Sequence, residues 1–356
     1  MNPLKEKLLR LIRAQGPMTL ADYMRIALGD PEHGYYMRRD PLGAAGDFIT
    51  APEVSQIFGE LIGLFFVQAW EDRGHPKKFH LVELGPGRGT LMADILRAAK
   101  IRPGFGAAAQ VTLIETSPAL RAVQQETLNR SHATWETALG AVAEDAPLFL
   151  VANEFLDALP AHQFVKSEHG WHERMVAARD DTLIFALAPK PLPPDIVPPA
   201  LRDAAPDTVV EIGSEAIALV RNAVAWIVHS GGVALIVDYG QTESGFGDTF
   251  QAVKSHAYAD PLADPGETDL TFHVDFGQIS RAAQNEGAEI FGPVTQGAFL
   301  GALGIEARTE ALKRSAPERA AEIDAAIDRL TSAQHMGTLF KVLGVAARGS
   351  PELPGF

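Results

Sequence analysis

Strand-length runs of apolar and β-branched residues recur along the chain, and most are followed by a helical pattern in which apolar residues return every three or four positions. The runs are FHLVEL (79–84), VTLIET (111–116), ATWET (133–137), PLFLVAN (147–153) and GGVALIVDYG (231–240). Alternation of buried strands with helices is typical of a doubly wound, Rossmann-like α/β sheet. EIFGPVTQ (289–296) and GTLFKVLGV (337–345) predict a last pair of strands that completes the sheet.

The pattern changes at several points, and these changes divide the chain. Residues 3–29 predict two short helices broken at Gly16-Pro17, the second capped by Thr19, and a helical pattern runs from Val54 to Trp70. Residues 161–188 alternate like antiparallel strands. The predicted division is a helical cap (1–72), a sheet domain in three pieces (73–160, 206–240 and 286–345), a β-rich insertion (161–205), a second insertion (241–285) and a tail (346–356).

Composition excludes several classes of function. The 356 residues carry a net charge of −14, which argues against a general nucleic-acid or anionic-membrane binder because phosphates would be repelled. The absence of cysteine excludes a disulfide framework, a thiolate zinc site and a cysteine nucleophile. Histidines 162, 169 and 172 lack carboxylate or thiolate neighbours at ligand spacing, so no metal site is predicted.

The chain offers no integral membrane segment, because its longest apolar patch, residues 61–70, is too short to span a bilayer. The first fifteen residues carry basic side chains among leucines, but their spacing fits an amphipathic helix better than a transit peptide. We therefore predict a cytoplasmic bacterial protein, or a mitochondrial matrix protein if the chain is eukaryotic. The oligomeric state stays open, a homodimer included.

A glycine-rich turn follows the first buried strand. Glu83 precedes Gly85, Gly87 and Gly89, and a helical pattern begins at Thr90. Glycines let a backbone approach a ligand closely, and a helix that starts there offers free N–H groups to it. A dinucleotide fingerprint would need its third glycine at position 90, which is threonine. The alternatives are a ligand other than a dinucleotide, or a tight strand–helix turn that binds nothing.

Acidic side chains stand at the ends of two further strands, where ligands bind in open α/β sheets. Glu115 lies at the carboxyl-terminal end of the strand predicted in VTLIET and has the position of a carboxylate that accepts hydrogen bonds from both ribose hydroxyls; the alternative is a solvated acid. Asn153, Glu154 and Asp157 follow the strand at 147–153. We expect these three polar side chains to face the same cleft, although Asp157 could instead cap the turn.

Two acidic residues that precede the first buried strand complete the set of candidate site residues. Thr50 and Glu53 have the spacing of a capping box with Pro52 in the first helical turn, and this role explains both residues. It does not explain Asp47 in the preceding Gly46-Asp47-Phe48. Asp47 and Glu53 are therefore kept as candidate acids from the cap.

Five phrases of the chain together resemble one family, the MidA-like S-adenosylmethionine (SAM) methyltransferases, over residues 5–345. They are GDFITAPEVSQIFGE (46–60), ELGPGRGTLM (83–92), VANEFLDALPAHQF (151–164), GGVALIVDYG (231–240) and GDTFQAVKSHAYADPLADPGETDLTFHVDF (247–276). The resemblance implies the class I SAM-methyltransferase fold and SAM as cofactor. It also implies a protein substrate, since mitochondrial members resemble assembly factors that dimethylate an arginine of a respiratory complex I core subunit.

Carried over by position, the resemblance assigns Glu83, Gly85, Gly87 and Gly89 to the SAM loop and Glu115 to the ribose. Asn153, Glu154 and Asp157 match the motif after the strand at 147–153, where we place Asn153 with the cofactor.

An arginine acceptor arrives protonated, because the guanidinium pKa lies above about 12, so a carboxylate must bind it and accept its proton. Glu154, Asp157 and Asp47 are the candidate catalytic residues. Two other classes remain open: a nicotinamide or other nucleotide enzyme, and a SAM-fold protein that acts mainly by holding a partner.

Overall fold

The computed structural model describes residues 2–38, 49–129, 131–193, 196–254 and 257–356. Asp47 lies outside the described residues. The cap comprises α1 (Pro3–Gln15), β1 (Met18–Thr19), α2 (Leu20–Gly29), α3 (Tyr35–Arg38), α4 (Ala51–Val54) and α5 (Gln56–Asp72). The predicted break at Gly16-Pro17 is confirmed, and the Thr19 side chain caps α2 by accepting from the Asp22 N–H.

The first part of the sheet domain alternates strands and helices as predicted. Its elements are β2 (Phe79–Leu84), α6 (Thr90–Ala98), α7 (Pro103–Ala108), β3 (Ala109–Ile114), α8 (Pro118–Thr127), β4 (Thr134–Glu136) and β5 (Leu148–Asn153). The first insertion adds β6 (His162–Ser167), β7 (Gly170–Arg179), β8 (Thr182–Leu187) and β9 (Val209–Ile212).

The rest of the chain completes the sheet and adds the second insertion. In chain order these elements are α9 (Ser214–Ser230), β10 (Gly232–Gln241), β11 (Gln251–Lys254), β12 (Ala257–Ala259), β13 (Asp269–Thr271), β14 (Val274–Asp275), α10 (Phe276–Asn285), β15 (Ala288–Thr295), α11 (Gln296–Ala302), α12 (Ile305–Ser315), α13 (Ala320–Thr331), α14 (Met336–Leu339) and β16 (Phe340–Ala347). No helix in the described ranges is long and apolar enough to cross a membrane.

The central sheet has the order β15-β16-β10-β5-β2-β3-β4, with β14 on the end of β10. Strands β4, β3, β2, β5 and β10 are parallel, and β16 is antiparallel to both of its neighbours. The predicted doubly wound sheet with a final strand pair is confirmed. The chain moves outward from β2 to β4 and then returns to the other side of β2, so the strand order reverses between β2 and β5. Ligands of such sheets bind outside the carboxyl ends of the strands at this reversal.

Both faces of the central sheet are covered by helices, which is why its strands are apolar on both sides. On one face, α5 and α6 pack against the sheet through a cluster that includes Phe65, Phe66 and Phe149. On the other, α9 and α10 bury Trp226 and Phe276. These two cores fix the strand ends that carry the candidate residues.

The cap and the first insertion form one unit beside the central sheet. Strand β1 of the cap pairs with β7, and the five-stranded sheet is completed by β6, β8 and β9. Leu8, Tyr23 and Val176 belong to the buried core between them. The predicted boundary at 205/206 is wrong for β9, because Val209–Ile212 pairs antiparallel with β6 rather than joining the central sheet.

The capping box predicted for Thr50 and Glu53 is also wrong. Thr50 occupies the N-cap position of α4 but its side chain makes no capping hydrogen bond. The Glu53 carboxylate instead accepts from the Thr90 hydroxyl, at 2.5 Å, and so ties α4 to the first turn of α6. The long cap helix begins at Gln56 rather than Val54, because Ser55 is extended and caps α5 with its own side chain.

Candidate active site

The glycine turn between β2 and α6 has the backbone that only glycine adopts readily. Gly85, Gly87 and Gly89 have φ of +56°, +53° and +81°. A Cβ on Gly85 would also collide with the ring of Phe155, which follows β5. The loop after β2 therefore packs directly against the turn after β5, and the two turns meet where the strand order reverses.

Gly89 differs from the other two glycines. A Cβ there would stand 3.5 Å from atoms of Gln124 in α8 and of Leu128 just after it, at ordinary contact distance, and Gly89 does not line the cavity at the strand ends. Gly89 is the N-cap residue of α6, and its left-handed backbone turns the chain into that helix. The structure thus brings Gly85 and Gly87 to the cavity and leaves Gly89 beneath the loop.

A cavity of about 440 Å³ lies at the carboxyl ends of β2, β3, β5 and β10. The cap covers it through residues such as Met24, Leu28 and Tyr36, while the second insertion contributes Asp269 and Thr271. The candidates that line it are Glu53, Glu83, Gly85, Gly87, Glu115, Asn153, Glu154 and Asp157. Residues far apart in sequence therefore share one enclosed space.

Glu83 is 3% exposed, and its Oε2 atom has no hydrogen-bond partner among the described residues. Burial raises the pKa of Glu83 to about 8, with the Met92 backbone N–H acting in the opposite direction. A buried carboxylate without a cationic partner is costly, so a ligand ammonium group would relieve this cost.

Glu115 stands at the carboxyl end of β3. Its Oε1 accepts from the Ser117 N–H at 2.7 Å and its Oε2 from the Gln124 amide at 3.1 Å. Burial raises the pKa of Glu115, and these two donors act against that shift. Each carboxylate oxygen has a second lone pair, so the pair can still accept from a diol.

The turn after β5 carries strain and polar groups together. Glu154 has φ of +51°, a conformation that costs a non-glycine residue energy and tends to mark functional sites. Its Oε1 accepts from the Ala51 N–H of α4, at 2.8 Å, and from the Asn153 amide at 3.1 Å. The Asn153 Oδ1 atom has no partner within the described ranges. Burial raises the pKa of Glu154 to about 7, and the nearby Asp157 adds to the shift.

Asp238, near the carboxyl end of β10, was missed by sequence reasoning. Its Oδ2 atom accepts from the backbone N–H groups of Phe155, Leu156 and Asp157, at 3.2, 2.9 and 3.2 Å. Burial, and then the charges of Asp157 and Glu154, raise the pKa of Asp238 well above its usual range. Asp238 therefore builds the turn that presents Asp157, whose own pKa burial raises to about 6.

Tyr36, Tyr239 and Asp269 were also missed, although all three line the cavity. The Tyr36 hydroxyl donates to Asp269 Oδ1 at 2.7 Å and so joins α3 to the second insertion. Burial, followed by the charges of Asp269 and Asp157, raises the pKa of Tyr36 well above its usual range. The one available signal was the polarity of Asp269 and Thr271, which lie within the turn-rich second insertion.

The residues present fit SAM. Unpartnered acceptors at Glu83 and Asn153 suit a ligand ammonium group, and Glu115 suits ribose hydroxyls. Gly85 and Gly87 line the cavity without a Cβ atom, so the loop backbone can lie close to a bound ligand. When bound, SAM supplies a methyl group activated on a sulfonium centre. No group of acids and histidines that could hold a metal ion occurs among the described residues.

SAM binding at pH 7 should release a proton if Glu83 contacts the ligand ammonium. The pKa of about 8 keeps Glu83 mostly protonated in the free protein, and a cation beside it would lower that pKa. Calorimetry in buffers of different ionisation enthalpy measures the proton count. The Glu83→Gln variant should release fewer protons; equal release by both proteins would remove Glu83 from the ammonium site.

Glu115→Gln should weaken SAM binding about tenfold to a hundredfold. Glutamine keeps an oxygen for the Ser117 N–H but loses the charge and one acceptor, and a hydrogen bond to a charged group is worth about 1.5–3 kcal/mol. Titration of the variant with S-adenosylhomocysteine measures the loss, with the melting temperature as control. Affinity within twofold of the wild type would mean that Glu115 only supports the start of α8.

A doubly wound sheet with this glycine turn, an acid at the end of β3 and a polar turn after β5 defines a SAM-dependent methyltransferase. Residues 61–294 match the family model described as "Putative S-adenosyl-L-methionine-dependent methyltransferase". The chain belongs to this family, and SAM is its cofactor. A nicotinamide enzyme, left open by the sequence, is thereby excluded.

Named relatives extend the match to nearly the whole chain. The zebrafish (Danio rerio) protein "Protein arginine methyltransferase NDUFAF7, mitochondrial" is 37% identical over 94% of this chain and 84% of its own. The human protein of that name is 36% identical over 95% of this chain and 82% of its own. A crystal structure from Burkholderia thailandensis with S-adenosyl-homocysteine bound has a TM-score of 0.86 and 28% identity, and covers 99% of this chain and 93% of that one.

Proposed function

We propose that the protein transfers a methyl group from SAM to a guanidinium nitrogen of an arginine side chain in a protein partner. The observation that supports this most is the acidic wall of the cavity. Glu154, Asp157 and Asp269 line the space that also contains the glycine loop and Glu83. The names of the zebrafish and human relatives point to the same acceptor.

The charge of the wall suits an arginine. Its guanidinium remains protonated at any physiological pH, and its planar fork of donors matches carboxylates. Burial holds the pKa of Glu154 at about 7 and that of Asp157 at about 6, so both groups exchange protons near neutral pH. A bound guanidinium would favour their ionised forms, and the same carboxylates could then accept a proton from it.

Methyl transfer to the guanidinium changes two bonds and releases one proton. The N–CH₃ bond forms as the S–CH₃ bond breaks, and the bonding electron pair remains on sulfur. The guanidinium nitrogen loses one proton, which a cavity carboxylate accepts and later passes to solvent. The chain contributes alignment of the nitrogen, exclusion of water by the cap and negative charge beside the cation.

For the partner, we propose a core subunit of respiratory complex I, on the strength of the MidA-like resemblance described above. The NDUFAF7 relatives are named as mitochondrial. The corresponding location for this chain is the bacterial cytoplasm, or the mitochondrial matrix if the chain is eukaryotic.

Mass spectrometry of the complex I core subunit after incubation with the protein and SAM tests this choice. We expect methyl groups on an arginine, absent when the Gly87→Val variant replaces the wild type. An unmodified subunit that nevertheless binds the protein would favour the alternative, a SAM-fold protein that mainly holds its partner. A subunit that neither binds nor is modified would contradict the proposed partner.

A further inference from the structure

A row of polar side chains that line the cavity, Thr271, Tyr239 and Asp157, connects the second insertion to the turn after β5. The Gln251 amide donates to Thr271 Oγ1 at 3.2 Å. Thr271 is in turn a side-chain hydrogen-bond partner of Tyr239, and Tyr239 is a side-chain hydrogen-bond partner of Asp157. Because the Thr271 oxygen already accepts from Gln251, its hydrogen is free for the Tyr239 oxygen, and the Tyr239 hydrogen is free for the Asp157 carboxylate.

The residues of this row are held firmly. Thr271 is buried, and the Tyr239 ring contacts the rings of His273 and Phe340 edge-on, at centroid distances of 5.3 and 5.6 Å. Tyr239 is neutral, since burial and then the charge of Asp157 raise its pKa well above the usual range. A neutral phenol always has a hydrogen to donate, so Tyr239 gives the carboxylate a fixed orientation.

The backbone of Asp157 is fixed from two directions as well. Its N–H donates to Asp238 Oδ2 at 3.2 Å, and its carbonyl accepts from the Phe272 N–H at 3.0 Å. Phe272 directly follows β13, which carries Thr271. The second insertion therefore holds the main chain of Asp157 directly and its side chain through Tyr239 of β10.

The Glu154 carboxylate has different hydrogen-bond partners from that of Asp157. Both of its described hydrogen bonds fall on Oε1, from the Ala51 N–H and the Asn153 amide. Ala51 is the first residue of α4, so this carboxylate receives an N-terminal N–H of a cap helix. Such an arrangement attaches the cap to the turn after β5. The side-chain partner of Asp157 is Tyr239 on the cavity wall, and among the described residues no cap helix donates a hydrogen bond to this carboxylate.

We propose that Asp157 is the carboxylate that binds the acceptor guanidinium and takes its proton, and that Tyr239 and Thr271 are the positioning residues that orient it. This inference rests on the proposed function. Asp157 faces Glu154 on its own turn, Asp238 and Tyr239 from β10, Tyr36 from α3 and Asp269 from β13.

The arrangement gives a pH dependence of known sign. Asp157 acts when ionised, so activity falls as pH falls through its pKa of about 6. The Tyr239 hydroxyl stabilises the ionised form, and Tyr239→Phe removes it. The pKa of Asp157 then rises, and the acidic limb of the rate profile moves to higher pH by about one unit.

The test measures initial rates of arginine methylation against pH, with total protein from a strain that lacks the gene as acceptor. We expect Tyr239→Phe and Thr271→Val to move the acidic limb to higher pH and to lower the rate at pH 7 about twofold, since a pKa near 7 leaves about half of Asp157 ionised there. Thr271→Ser should restore the wild-type limb because it keeps the hydroxyl. Affinity for S-adenosylhomocysteine should stay within twofold in all three variants.

Tyr23→Phe is the matched control. Tyr23 is likewise a buried tyrosine whose hydroxyl donates a hydrogen bond, here to the Pro261 carbonyl of the second insertion, but Tyr23 does not line the cavity. The acidic limb of the rate profile of Tyr23→Phe should stay at the wild-type pH. A wild-type limb in Tyr239→Phe, or an equal shift in Tyr23→Phe, would overturn the inference while arginine methylation stands. A wild type that produces no methylarginine would overturn the proposed function and this inference together.

Discussion

Gly87→Val should abolish measurable SAM binding, with a loss of affinity of a hundredfold or more. Gly87 lines the cavity with φ of +53°, where a β-branched residue is strongly disfavoured. Valine would either change the path of the loop or place its methyl groups on the wall of the binding site. Titration with S-adenosylhomocysteine measures the loss directly.

Gly89→Ala is the control within the same loop. Its backbone is also left-handed, but a Cβ there faces α8 at ordinary contact distance and lies off the cavity. We expect this variant to lose about 1 kcal/mol of stability and to bind the ligand within a few-fold of wild type. Equal loss of binding in both variants would indicate general damage to the loop, and unchanged binding in Gly87→Val would contradict the assigned site.

Asp157→Asn should reduce turnover about a hundredfold or more while SAM affinity changes little. The amide has nearly the shape of the carboxylate, but it neither balances a guanidinium charge nor takes its proton. Single-turnover rates with saturating SAM measure the effect on the chemical step. A loss of SAM affinity without a loss of turnover at saturation would place Asp157 with the cofactor instead.

Glu154→Gln separates the two carboxylates. Glutamine retains an Oε1 atom for the Ala51 N–H, so the attachment of α4 should survive. We expect a smaller loss of turnover than in Asp157→Asn. If the order is reversed, Glu154 is the residue that binds the acceptor, and Asp157 has a supporting role.

The strand, turn and helix units around the glycine loop could be predicted because their signals are local. Apolar runs indicate the buried strands. The start of α8 at Ser117-Pro118 follows from a capping preference that involves only adjacent residues. Glu83 and Glu115 were found for the same reason, since each stands at a fixed offset from the end of its strand.

The remaining wall of the cavity depends on contacts between distant segments. Tyr36, Tyr239 and Asp269 meet only because the second insertion docks against β10 and the cap covers both. No local pattern encodes that docking. Glu53 illustrates the same limit. Its spacing to Thr50 predicted a capping box, but its carboxylate accepts a hydrogen bond from the hydroxyl of Thr90, 37 positions along the chain.

The most direct test of arginine methylation uses SAM with a tritium-labelled methyl group and total protein from a strain that lacks the gene. After incubation with the purified protein, the acceptor is hydrolysed to amino acids and the label is assigned by chromatography. We expect label in methylated arginine, and none when Gly87→Val replaces the wild type. Label in lysine or another residue, or equal label with the variant, would contradict it.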